Sequence, residues 1–203
     1  MEQNKQSKAS TIAKIGILSA VGTILYLFVK FPLPFFPSFL DIQFSELAGL
    51  LAGFMMGPVA GIAVIVLKGL IKMPFSSTAC VGELADILIG IAFVLPAAWI
   101  YRKKKCVKSA ILGLAAGLVC ATAVAIVANR FLLIPFYLEF FFHGSWDPLL
   151  GMCSMLNPNL TPENFYEVYL WAGVLPFNLL RGTISCLITY FVYKPLHRLF
   201  NRF

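Results

Sequence analysis

Charge is scarce in this 203-residue chain. Asp, Glu, Lys and Arg make up 12% of it, and only nine residues are acidic. A soluble domain carries about 25% charged residues, so an ordinary water-soluble enzyme is excluded. Disorder is excluded too, because a disordered chain needs low hydrophobicity together with high charge. The five cysteines, Cys80, Cys106, Cys120, Cys153 and Cys186, contain no C-x-x-C pair. Four of them lie in or beside apolar stretches and read as small buried hydrophobes, not as a disulfide frame or metal site. There is no G-x-x-x-x-G-K-[ST] loop to cradle nucleotide phosphates, no H-E-x-x-H and no G-x-S-x-G. The two histidines fall in a loop (His143) and in a basic tail (His197). No nucleophile–base pair is visible, so the expectation is a non-enzyme without cofactor or metal. Two repeated halves, as in many secondary transporters, are not evident either.

What is present in quantity is apolar sequence. Hydrophobic types make up 60% of the chain and mean hydropathy is +0.85. A bilayer requires apolar stretches of about 20 residues each. The pattern predicts an all-α integral membrane bundle of six transmembrane helices, one domain over residues 1–203. The expected spans are about 12–29, 44–56, 59–73, 81–101, 110–134 and 168–193, with the first span uncleaved. The second and third are short and are separated by Gly57-Pro58. Between the first and second lies Phe31-Pro-Leu-Pro-Phe-Phe-Pro-Ser-Phe39, too rich in proline for a regular helix. The segment 135–167 holds no clear span.

The net charge of +7 tests this count. Basic residues cluster at Lys5, Lys8 and Lys14, at Arg102, Lys103, Lys104, Lys105 and Lys108, and at Lys194, Arg198 and Arg202. Six spans put all three clusters on one side, which should be cytoplasmic together with both termini. The segment 135–167, with Glu139, Asp147, Glu163 and Glu167 and no Lys or Arg, then lies outside.

Small residues recur four apart at Gly16 and Ala20, Gly49 and Gly53, Gly57 and Gly61, and Gly113 and Gly117. Such pairs let helix backbones approach closely in a bilayer. Most should pack the bundle internally. Ala13, Gly16 and Ala20 form a smooth stripe on a first span with almost no polar residues, a face suited to a partner helix.

Ionisable residues inside spans are costly and commonly functional. Lys68, Glu83, Asp86 and Arg181 stand within or at the ends of spans, beside the amides Asn129 and Asn178. Glu83 and Asp86 are three apart, hence on one helix face. Either these groups pair with one another, Lys68 with one acid and Arg181 with the other, or they meet a ligand. In the six-span topology Lys68, Glu83, Asp86 and Asn129 lie in the outer half of the membrane. The aromatic run Phe31 to Phe44 and the cluster of Phe131, Phe136, Tyr137, Phe140, Phe141 and Phe142 share that side. A near-neutral polar set beside aromatic rings suits a ligand with a flat apolar ring and a hydrogen-bonding tail.

Five stretches carry a family resemblance: Phe39-Leu-Asp-Ile-Gln-Phe-Ser-Glu46, Gly57-Pro-Val-Ala-Gly-Ile-Ala-Val64 with Lys68, Val81-Gly-Glu-Leu-Ala-Asp86, Asn129-Arg-Phe-Leu-Leu-Ile-Pro-Phe-Tyr137, and Gly173-Val-Leu-Pro-Phe-Asn-Leu-Leu-Arg-Gly182. They resemble the substrate-binding S components of energy-coupling factor (ECF) vitamin transporters, most closely the riboflavin-specific branch. The resemblance implies the ECF S-component fold in a bacterial cell membrane. It implies a vitamin bound near the outer face and no ATPase of the chain's own. The implied partners are a membrane coupling subunit (T component) and two cytoplasmic ATPases (A components). Ala13, Gly16 and Ala20 then match residues that contact the coupling subunit. Asn129, Asn178 and Arg181 match ligand-binding positions, with Glu83, Asp86, Lys68, Gln43, Phe44 and Tyr137 as further candidates. The chain departs from the branch at Arg181, where Lys is usual, and at Glu83 and Asp86, where amides are expected. It departs again at Gln43, where Asp is common. These exchanges alter the donor–acceptor pattern and leave FMN, pantothenate or folate as alternative ligands.

Overall fold

The computed structural model describes residues 2–200, with side chains described for residues 8–192. Lys5, His197 and the C-terminal basic cluster Lys194, Arg198 and Arg202 therefore lie outside the described side chains. Nearly all regular structure is helical. Helix α1 (Glu2–Phe28) is followed by α2 (Glu46–Met56), α3 (Pro58–Lys72), α4 (Val81–Lys103) and α5 (Val107–Ala128). Then come α6 (Ile134–Phe140), α7 (Asp147–Cys153), α8 (Phe165–Val168) and α9 (Leu175–Phe200).

Among the described residues five helical stretches are long and apolar enough to cross a membrane: Lys8–Phe28, Pro58–Phe75, Val81–Lys103, Val107–Phe140 and Phe165–Val192. Helix α2 is apolar, but its 11 residues rise only about 16 Å against a hydrocarbon core of about 30 Å. The two segments expected to lack a span carry short elements of their own. The Pro-rich segment after α1 forms a small antiparallel hairpin, β1 (Lys30–Pro32) with β2 (Asp41–Gln43), pairing Phe31 with Ile42. Its ladder is short because proline cannot donate to it. The segment 135–167 is also partly helical, with α6, α7 and the start of α8 packed around Leu149, Cys153 and Phe165.

Two helices widen into π-turns, at Asn129–Leu133 and Tyr169–Val174. Each precedes a proline, Pro135 or Pro176. A proline ring clashes with the carbonyl four residues back and removes one ladder hydrogen bond. Widening of the preceding turn absorbs that clash without ending the helix. The stretches Val107–Phe140 and Phe165–Val192 thus stay continuous while their side chains are re-aimed at these two points.

The helices of the bundle are packed by close approach at their small residues. A Cβ on Gly113 would lie 2.6 Å from the Ala97 carbonyl oxygen, and one on Gly53 2.9 Å from Ala98 Cβ. The α2–α3 turn is made at Gly57, whose φ of +104° favours glycine. Gly57 sits near Arg102, so this turn and the α4–α5 basic turn share one end of the bundle. The hairpin, the α3–α4 connection and both π-turns share the other.

Candidate functional site

Helices α3 and α4 run antiparallel, and their ionisable residues match rung for rung. Lys68 and Lys72 are four apart on α3; Glu83 and Asp86 are three apart on α4. Lys68 Nζ donates to Asp86 Oδ2 at 2.7 Å, and Lys72 pairs with Glu83. All four side chains are buried, Lys68 completely. A buried ion pair is tolerated only when further hydrogen bonds satisfy both partners, and they do. Lys68 also donates to Ser45 Oγ. Asp86 Oδ1 accepts from Gln43 Nε2 at 2.7 Å and from Arg181 Nη2 at 3.3 Å. Glu83 Oε2 accepts from Ser76 Oγ at 2.6 Å and Thr78 Oγ1 at 3.1 Å. Tyr26 of α1 stands beside both ammonium groups, 4.9 Å from Lys68 Nζ and 5.1 Å from Lys72 Nζ to the ring centroid. Arg181 bridges a third acid, Glu46, at the start of α2.

Asn129 and Asn178 come from the other side. Asn129 lies in the first π-turn, buried, donating to Ala125 O at 2.8 Å and accepting from Tyr169 Oη at 2.7 Å. Tyr169 belongs to the second π-turn, so this bond ties the two together. An amide has two donors and two acceptor sites, which leaves Asn129 one of each beyond these bonds. Asn178, one turn after that π-turn, donates to Val174 O at 2.8 Å.

These groups surround one cavity of about 180 Å³. Of the candidates from sequence, Gln43, Glu83, Asp86, Asn129, Tyr137, Asn178 and Arg181 line it. Lys68 sits behind the wall as the ionic partner of Asp86, and Phe44 packs against Phe31 of the hairpin at 6.3 Å; neither lines the cavity. Residues that sequence reasoning passed over are Tyr26, Lys72 and Glu46. The spacing of Lys72 from Lys68 would have flagged it as sharing that helix face. Nothing in the sequence places Tyr26 there, because it reports to the site across α1. Among the lining residues three cations (Lys30, Lys72, Arg181) meet three carboxylates (Asp41, Glu83, Asp86), so the wall is rich in hydrogen-bonding groups but carries no net charge. Phe39, Leu40, Ile89, Leu133 and Phe177 supply apolar surface.

The stripe on α1 is separate from this cavity. Ala13, Gly16 and Ala20 are all exposed, and a Cβ on Gly16 would meet nothing within 4 Å. The opposite face of α1 is packed, with a Cβ on Gly22 reaching 3.0 Å from Ala48 Cβ.

A multi-helix membrane bundle with a polar cavity near one end defines a solute-binding membrane protein. The family model for the ECF transporter substrate-specific component matches residues 10–193, and the chain belongs to that family. It is 34% identical over 202 residues to the riboflavin transporter RibU of Staphylococcus aureus, covering 100% of this chain and 95% of that one. It is 27% identical to the riboflavin transporter FmnP of Bacillus subtilis over 192 residues, 93% of each chain. A solved structure described as the S component of a bacterial ECF transporter superposes with a TM-score of 0.72 at 34% identity, covering 97% of this chain and 98% of that one. Members of the family are substrate-binding transport components, not enzymes.

Proposed function

We propose that this chain captures riboflavin from the extracellular side as the S component of an ECF-type transporter. The observation that carries the reading is the cavity formed by Asn129, Asn178, Asp86 and Arg181 beside Phe39, Leu133 and Phe177. It comes in a chain that is similar along its whole length to proteins named riboflavin transporters. A flavin ring would lie against the apolar wall, and its ribityl hydroxyls would exchange bonds with the two amides and Arg181. The balanced lining favours this uncharged vitamin over FMN, pantothenate or folate, because an anion would face Glu83 and Asp86 without a surplus cation. Small-molecule pockets usually hold about 300–1,000 Å³. At about 180 Å³ the cavity has to widen on binding, and the 30–43 hairpin lies at its rim through Lys30, Phe39, Leu40, Asp41 and Gln43.

In this reading the chain crosses the membrane six times, α2 completing its crossing with the segment 41–45 that leads into it. Both termini are cytoplasmic, and the site opens outward. The energy for inward release comes from a coupling subunit docked on Ala13, Gly16 and Ala20 and from two ATPases. The test is a titration of the detergent-purified chain with riboflavin, followed by quenching of flavin fluorescence. Stoichiometric quenching is expected, with Asn129→Ala and Asn178→Ala each weakening binding by roughly tenfold or more, the loss of a buried hydrogen bond to an orphaned polar partner. A chain that leaves flavin fluorescence unchanged would refute the assignment.

A further inference from the structure

At the end of the bundle opposite the cavity, the start of α3 and the end of α4 line an apolar groove of about 540 Å³. Its walls are Val59, Ile62, Leu95 and Trp99, and its mouth carries Arg102 and Lys103. Val59 is 77% exposed and Trp99 57% exposed. From Leu95 to Lys103 the helix rises about 12 Å, close to the hydrocarbon half-thickness of one leaflet, about 15 Å. Trp99 lies one turn inside the basic mouth, the depth at which tryptophan marks a membrane interface.

The mouth is charged on one sign only. Arg102, Lys103, Lys104, Lys105 and Lys108 are followed by no acidic residue until Glu139 and preceded by none after Asp86. Among the described residues none of these five forms an ion pair. An apolar slot of leaflet depth ending in unpaired cations is complementary to one kind of molecule, a lipid with an acyl chain and an anionic head. A partner helix without acidic residues at that depth would fill the slot but leave the cations unanswered.

We propose that this groove is a binding site for an anionic phospholipid, with one acyl chain between Val59, Ile62, Leu95 and Trp99 and the phosphate on Arg102 and Lys103. The site is independent of the vitamin cavity. Native mass spectrometry of the full chain in detergent, with phosphatidylglycerol or phosphatidylcholine of identical acyl chains, reads it directly. The expected result is a phosphatidylglycerol adduct retained on the order of 10–30-fold more strongly, the effect of two basic side chains at a membrane surface. The Arg102→Gln/Lys103→Gln variant should bring it to the phosphatidylcholine level. Val59→Trp should also weaken it, by filling the slot with the charges intact; Val59 is exposed, so this variant keeps the fold. Equal retention of the two lipids, or an adduct indifferent to both variants, would overturn the proposal. So would displacement by glycerol phosphate at the same concentration as the intact lipid, or a protein dimer in place of the lipid adduct.

Discussion

Asp86 accepts from three residues at once, Lys68, Gln43 and Arg181, brought in by α3, the hairpin and α9. Removing its charge leaves Lys68, fully buried, without the carboxylate that neutralises it. Losing one partner of a buried pair costs about 3–5 kcal/mol. Asp86→Asn should therefore lower the thermal unfolding midpoint of the purified chain and weaken flavin binding together. Lys68→Met combined with Asp86→Leu removes both charges and should unfold at a higher temperature than Asp86→Asn alone, because no orphaned charge remains. If the single and double variants unfold together, the pair is not the stabilising unit described here. At this scale the sequence was partly legible. Lys68, Glu83, Asp86 and Arg181 stood out because charge inside an apolar span is rare. Their pairing did not, because an acid three residues along the same helix is an equally plausible partner until the antiparallel register of α3 and α4 is known.

The helices differ in what their small residues do, and the sequence treats them alike. Gly113 faces the Ala97 backbone at a distance no Cβ can occupy, while Gly16 faces open space. Backbone cannot give way as a flexible side chain can, so Gly113→Leu should cost more than the usual overpacking penalty of about 1–3 kcal/mol. It is expected to abolish recovery of folded protein from membranes. Gly16→Trp should give normal yield and normal flavin binding but no uptake in cells that supply the partner subunits. Uptake at the unsubstituted rate would remove α1 from the docking surface. The same spacing of small residues thus has two meanings, and only the neighbours tell them apart. The two π-turns make a related point. Pro135 bounds the expected fifth span, but the helix continues through it to Phe140, as the last span continues through Pro176. The widened turns bring Asn129 and Tyr169 within 2.7 Å of each other.

At the scale of the whole molecule the native cysteines report orientation. Cys80, in the α3–α4 connection, and Cys106, in the α4–α5 turn, are exposed at opposite ends of the bundle. A membrane-impermeant maleimide should label Cys80 on intact cells and Cys106 only after permeabilisation; the reverse order would invert the proposed topology. Cys153 should resist in both conditions, since its burial with Leu149 and Phe165 pushes its thiol up to about 12 and the reactive thiolate is absent at neutral pH. The sequence by itself determined the class of the protein: a chain 60% hydrophobic and only 12% charged has only a bilayer in which to fold. The tertiary structure alone decided which charges neutralise each other, which small faces close and which stay open, and that Lys72, Glu46 and Tyr26 belong to the site. Those relations join residues far apart in the chain, set by packing distances of a few ångströms that no local pattern encodes.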